Sequence, residues 1–108
     1  MNKEVVEHAS GGKGHLIKEY LLSTEQLLGK NEMFARVTLE PGCSLGYHVH
    51  QGNAEVYYVL SGEGEYDDNG TVRTVKAGDV TYTPDGMGHS IENKGTEDLV
   101  FLALIIKN

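Results

Sequence analysis

Apolar and polar residues alternate along this chain in short runs that are separated by turn residues. Val, Ile, Thr and Tyr recur in these runs, and β-branched and aromatic residues favour strands. The runs occupy residues 15–22, 33–40, 47–50, 55–60, 63–66, 71–76, 79–83, 89–93 and 99–106. Many short strands at such intervals predict an all-β protein with a sandwich or barrel architecture.

The segments between these runs carry turn signals. Pro41-Gly42 and Ser61-Gly62 end two of the runs, and Asn69-Gly70 predicts a tight hairpin between residues 63–66 and 71–76. Ser23 and Gln26 have the spacing of a capping box, which predicts at most one short helical turn near residues 24–28. Residues 1–13 are polar and predict an N-terminal arm or an edge strand.

Length and charge narrow the class of protein. The 108 residues suit a single domain, and the net charge of −7 disfavours binding to nucleic acid. Neither a basic run nor an apolar run of membrane-spanning length is present, so no membrane association is expected. The N-terminus does not resemble a signal peptide, and the single cysteine, Cys43, fits a reducing compartment. We expect a cytoplasmic protein.

Three histidines and a glutamate form the most informative cluster of polar residues. His48 and His50 are two apart, so on a strand both face the same side. A hairpin through residues 51–54 would return Glu55 across from them, and His89 begins a later strand after a glycine-rich turn. Three imidazoles and a carboxylate suit a divalent transition metal. Taken singly, the histidines could instead lie on the surface, and Glu55 could pair with Arg36.

The spacing of these residues resembles the two sequence motifs of the cupin family. Residues 42–62 follow the first motif as Gly-x5-His-x-His-x4-Glu-x6-Gly, and residues 78–93 follow the second as Gly-x5-Pro-x-Gly-x2-His-x3-Asn. The resemblance implies one cupin domain over residues 1–108, folded as a double-stranded β-helix or jelly-roll barrel. It also implies that His48, His50, Glu55 and His89 bind one divalent metal ion (Mn, Fe, Zn or Ni).

Alternation along the strands places further residues near that metal. Tyr57 and Val59 share strand parity with Glu55 and should line the same pocket. Leu45, three residues before His48, and Met87, in the turn before His89, are further candidates for its wall. Tyr57 is a candidate to donate a hydrogen bond or a proton to a ligand. Arg36 is a candidate to grip a carboxylate, because a guanidinium binds one through two hydrogen bonds.

Several functions are compatible with such a site. Residues 86–93 and 99–102 look similar to an oxalate decarboxylase domain, which favours a small carboxylate or keto acid as the ligand. The chain departs from that enzyme at Leu45, where the decarboxylase has a substrate-binding arginine, and no lid loop with a proton-donating glutamate is evident. The alternatives are a dioxygenase, a sugar or sugar-phosphate isomerase, and a non-catalytic binding module.

Small cupins commonly pair through their N-terminal strands. The polar arm at residues 1–10 can pair in this way, so the resemblance also predicts a homodimer.

Overall fold

The computed structural model describes residues 2–108, which form ten strands and one 3₁₀ turn, Ala9–Gly11. The strands are β1 Asn2–Glu7, β2 His15–Leu22, β3 Asn31–Leu39, β4 Ser44–Val49, β5 Asn53–Ser61, β6 Glu63–Asp68, β7 Thr71–Lys76, β8 Val80–Thr83, β9 Gly88–Glu92 and β10 Leu99–Lys107. The prediction of an all-β protein is confirmed.

The strands form two antiparallel sheets that face each other. The larger sheet has the order β1-β2-β3-β10-β5-β8, and the smaller one has the order β4-β9-β6-β7. Inward residues alternate with outward ones along most strands, and the inward set packs into one core between the sheets. Phe101, Tyr66, Leu39 and Ile91 are among its fully buried side chains.

Two of the turn predictions can be compared directly with the structure. Asn69 and Gly70 both have positive φ angles, of 49° and 103°, which is the conformation of a type I′ hairpin turn between β6 and β7. Ser23 and Gln26 exchange the two hydrogen bonds of a capping box. However, residues 24–29 form turns and no helix, because Leu28 and Gly29 already adopt positive φ angles of 60° and 66°.

The expected hairpin between residues 47–50 and 55–60 is wrong. β4 pairs with β9 in the smaller sheet, whereas β5 pairs with β10 and β8 in the larger one. The chain crosses from one sheet to the other through Gly52, which has a φ angle of 80°. Glu55 still faces the histidines, because the inner faces of the two sheets oppose each other.

The N-terminal segment lies at the edge of the larger sheet. β1 pairs with β2 over six residues, in agreement with an edge strand. The chain then passes across the smaller sheet. There the backbone at Gly12 packs directly against the backbone of β4 at Gly46, because neither residue has a side chain. We call residues 8–12 the strap.

Among residues 2–108, no helix is long and apolar enough to cross a membrane.

Candidate metal centre

Four polar side chains converge between the two sheets. His48 lies on β4 and His89 on β9, directly opposite each other in the register of the smaller sheet. His50 follows the end of β4, and Glu55 projects from β5 of the larger sheet. One ligand atom from each of the four residues lies within 4.8 Å of the other three. The structure therefore brings together all four residues that the sequence motifs single out.

The closest contacts in this cluster centre on one nitrogen. Nε2 of His89 lies 3.0 Å from Nε2 of His48, 3.0 Å from Nε2 of His50 and 3.0 Å from Oε1 of Glu55. That carboxylate oxygen is also 2.9 Å from Nε2 of His50. A ring nitrogen carries either one proton or one lone pair, so it cannot form hydrogen bonds with three partners at once. The four atoms therefore form a candidate site for a metal ion.

Hydrogen bonds on the far side of two imidazoles set their tautomers. Nδ1 of His48 donates to the carbonyl oxygen of Gly46 at 2.8 Å. Nδ1 of His50 donates to Oδ1 of Asn53 at 2.7 Å, while Nδ2 of Asn53 donates to Glu32. Because both Nδ1 atoms carry the proton, both Nε2 atoms present a lone pair to the centre of the cluster.

His89 is held more rigidly than the other two histidines. Its side chain is fully buried, and its Nδ1 lies 2.8 Å from the hydroxyl of Tyr66 and 2.9 Å from that of Thr83. The ring of Tyr57 stacks on the imidazole with 4.8 Å between centroids. These contacts fix the ring plane and aim Nε2 at the cluster.

Electrostatics favour the protonation states that a metal requires at Glu55 and His89, whereas the hydrogen bond with Glu55 raises the pKa of His50, so a metal would displace a proton there. Burial by itself would raise the pKa of Glu55, but hydrogen bonds with His48, His50 and His89 outweigh it and hold this pKa well below its usual range. Burial lowers the pKa of His89. An ionised carboxylate beside neutral imidazole is the form in which these groups coordinate a cation.

The spacing of the four atoms fits a single transition-metal ion. Bonds of about 2.1 Å at right angles place neighbouring ligand atoms about 3.0 Å apart. The separations from Glu55 Oε1 and His89 Nε2 to the other ligand atoms run from 2.9 to 3.8 Å. Three imidazole nitrogens and one carboxylate would hold such an ion, which would supply a Lewis acid for oxygen atoms of a ligand.

The cluster lies at the wall of a pocket of about 300 Å³. His48, His50 and Glu55 line it, and so do Leu45 and Tyr57, of which Tyr57 was predicted there from its strand parity with Glu55. Most of the remaining wall is apolar and comes from the larger sheet, with Leu16, Val37, Phe101, Ala103 and Ile105 among its members. The pocket therefore offers a ligand apolar walls and one charged end.

Three residues that the sequence placed at this site lie elsewhere. Arg36 points outward from β3, because Ala35 and Val37 take the inward positions, and it forms a salt bridge with Glu19 at 2.9 Å. Val59 faces inward but is fully buried in the core, two residues beyond Tyr57. The side chain of Met87 is 44% exposed and does not line the pocket.

Several other residues at the site could not be predicted from the two sequence motifs. Tyr66 and Thr83 could be assigned inward positions by strand alternation, but their contact with His89 depends on how the sheets face each other. Lys18 lines the pocket from β2, and Val6, Ala9 and Ser10 line it from the edge strand and the strap. These positions depend on how the N-terminal segment folds over the barrel.

Comparisons with known proteins agree with this architecture. Residues 35–105 match the family described as "Cupin domain". The chain is 50% identical over 103 residues to the oxalate-binding protein of Thermotoga maritima, covering 95% of this chain and 85% of that one. It is 37% identical to the oxalate decarboxylase of Bacillus subtilis, of which it spans only 27%.

A solved structure gives the same result at the level of the fold. A crystal structure from Thermotoga maritima, described as a predicted oxalate decarboxylase, superimposes with a TM-score of 0.97 at 47% identity. The match covers all of this chain and 94% of the other. The two sheets, the converging ligand cluster and these matches together show that the chain belongs to the cupin family.

Proposed function

We propose that this protein binds a small dicarboxylate of the oxalate class at one divalent metal ion held by His48, His50, Glu55 and His89. The observation that carries the proposal is the set of converging ligand atoms at the charged end of an otherwise mostly apolar pocket. A relative that is 50% identical over nearly the whole chain is named for binding oxalate, which supports the same ligand class. Mn, Fe, Zn and Ni all suit the four ligands.

The hydroxyl of Tyr57 is placed to donate a hydrogen bond to such a ligand. It lies 3.4 Å from Nε2 of His89, beside the cluster. Burial raises the pKa of Tyr57 well above its usual value, so the group keeps its proton at physiological pH. Tyr57 can therefore serve as a fixed hydrogen-bond donor to a bound ligand.

The other candidate functions fit the pocket less well. Lys18 is the only lysine or arginine among the described residues that line it, which is little positive charge for a sugar phosphate. A dioxygenase would require iron and an oxidisable substrate, and the four ligands suit iron no better than Mn, Zn or Ni, so nothing in the site favours that function. Catalytic decarboxylation would require a proton donor at the ligand's carbon, and Tyr57 is the only tyrosine among the described residues that line the pocket.

Calorimetric titration of oxalate into the metal-loaded protein tests the proposed function. We expect one site per chain, and we expect binding to disappear when the metal is removed with a chelator and the chelator is dialysed away. Oxalate consumption should be followed in parallel, because consumption of oxalate would show that the protein is an enzyme and not only a binding protein. A metal-loaded protein that shows no heat of binding with oxalate would contradict the proposal.

Pairing of two copies through the N-terminal strand stays a prediction from the sequence. We also propose a second surface for association of two copies, the outer face of the larger sheet. Outward side chains of β5, β8 and β10 form an apolar patch, the outer sheet patch, which contains Val56, Tyr58, Leu60, Val80, Tyr82, Leu102 and Leu104. Val80 and Tyr82 are 58% and 55% exposed. The outward positions of these strands carry no charge, although the chain has a net charge of −7, so a second copy meets little repulsion there.

Light scattering coupled to size-exclusion chromatography tests this association. We expect twice the mass of one chain for the wild type and a shift to the single-chain mass for Tyr82→Glu, because a buried carboxylate without a partner is costly. Val72→Glu is the matched control, since Val72 is similarly exposed at 57% but lies on β7 of the other sheet. A wild type that elutes with the mass of one chain would rule the dimer out.

A cytoplasmic location stays a prediction from the sequence.

A further inference from the structure

We infer that Lys18 is a second anchor for the ligand and makes the pocket selective for dianions over monoanions. This inference rests on the proposed function, because Lys18 lies in the same pocket as the metal site. The metal site compensates part of the ligand's negative charge, and Lys18 binds the rest. It adds a selectivity determinant from β2, a strand outside both sequence motifs.

The position of Lys18 in the sheet directs its side chain toward the pocket. Lys18 pairs in register with Val37 of β3, and paired residues of antiparallel strands share one face of the sheet. Val37 lines the pocket, as does Leu16, which is two residues before Lys18 and therefore on the same side of β2. Lys18 itself is partly buried and is part of the pocket wall.

The ammonium group of Lys18 has no carboxylate partner within salt-bridge distance among residues 2–108. Its contact is with the ring of Tyr20, 5.7 Å from the centroid. Glu4 is opposite Lys18 in the register of β1 and β2, but its carboxylate accepts a hydrogen bond from the hydroxyl of Tyr20. The positive charge thus remains available to an anion in the pocket.

Among residues 2–108, no other lysine or arginine lines the pocket. Apart from the metal-site residues, the lining consists of apolar groups, Ser10 and Tyr57. A divalent ion coordinated by ionised Glu55 leaves one net positive charge, and Lys18 adds a second. A dianion neutralises both charges, whereas a monoanion leaves one of them uncompensated in a poorly hydrated space.

Oxalate and glyoxylate form a suitable pair of probes. Both are two-carbon acids, but glyoxylate has an aldehyde in place of the second carboxylate and carries a single charge. The variants are Lys18→Met, which keeps the length of the side chain without its charge, and Lys18→Arg, which keeps the charge. Lys76→Met is the matched control, because Lys76 lies exposed on β7 and does not line the pocket.

The experiment measures the Kd of each probe for each metal-loaded variant, together with the metal content and Tm. We expect Lys18→Met to raise the Kd for oxalate at least tenfold and that for glyoxylate less than threefold, with one metal per chain retained. Lys18→Arg should restore most of the oxalate affinity, and Lys76→Met should match the wild type.

The outcomes separate this inference from the proposed function. An unchanged oxalate Kd in Lys18→Met, or an equal loss for the two probes, would overturn the role of Lys18 while leaving the metal site intact as a carboxylate site. If the metal-loaded wild type bound neither probe, the proposed function would fail and the role of Lys18 would fail with it.

Discussion

His48→Ala should abolish the stabilisation of the fold by metal. An ion that binds only the folded state at one hundred times its Kd adds about 2.7 kcal/mol to the free energy of unfolding. For a domain of this size, 1 kcal/mol corresponds to about 4–8 °C in Tm, so the wild type should gain roughly 10–20 °C on addition of metal. Thermal unfolding with chelator and with Mn²⁺ or Zn²⁺ measures the difference.

His48 suits this experiment better than His89. The side chain of His48 is 24% exposed, so its loss leaves no large cavity, whereas His89 is fully buried between Tyr57 and Tyr66. His15→Ala is the matched control, because His15 pairs with Glu40 away from the cluster. The variant His48→Ala should show almost the same Tm with and without metal, while His15→Ala should keep the full shift. A metal-dependent shift that survives in His48→Ala would remove this residue from the ligand set.

Gly46→Ala should be among the most damaging single-methyl changes near the pocket. A Cβ at residue 46 would lie 2.1 Å from the carbonyl oxygen of Ser10 and 2.9 Å from the amide nitrogen of Gly12. Both are backbone atoms of the strap, so no change of side-chain rotamer can relieve the clash. We expect a loss of about 3 kcal/mol in the free energy of unfolding, at the upper end of the cost of overpacking.

The strap also links this clash to ligand binding. Ala9 and Ser10 line the pocket, so a displaced strap should increase the rate of ligand dissociation. Denaturant unfolding and stopped-flow release of oxalate measure the two effects. Gly95→Ala is the control, because its new Cβ would meet only the side-chain oxygen of Asn93, at 3.4 Å. Equal stability of Gly46→Ala and Gly95→Ala would show that the strap does not pack tightly on β4.

The sequence was sufficient to predict most strands and the ligand cluster. Period-two alternation and turn residues located β2 at 15–22 and β7 at 71–76 with the same bounds as the structure, and Asn69-Gly70 predicted the hairpin before β7. These features are local, so they depend on neighbouring residues alone. The ligand set followed from motif spacing, because the spacing reflects a conserved path of the chain in cupins.

Features that depend on long-range packing could not be predicted from local sequence patterns. The crossing from β4 to β5 resembles a hairpin in sequence, and only the pairing with β9 and β10 distinguishes the two. The outward direction of Arg36 depends on the parity of β3, where Met33-Phe34-Ala35 gives no clear alternation. The contacts of Tyr66 and Thr83 with His89, and the place of Lys18 in the wall, arise only when distant strands meet.

Elemental analysis of the protein purified without a metal-affinity column shows whether His48, His50, Glu55 and His89 hold a metal ion. The wild type and His48→Ala should be prepared in parallel and then dialysed against Mn²⁺, Fe²⁺ or Zn²⁺ in separate samples. Metal binding by these four residues predicts close to one equivalent of a divalent transition metal per chain in the wild type and almost none in the variant. No metal in the wild type, even after dialysis against all three ions, would contradict it.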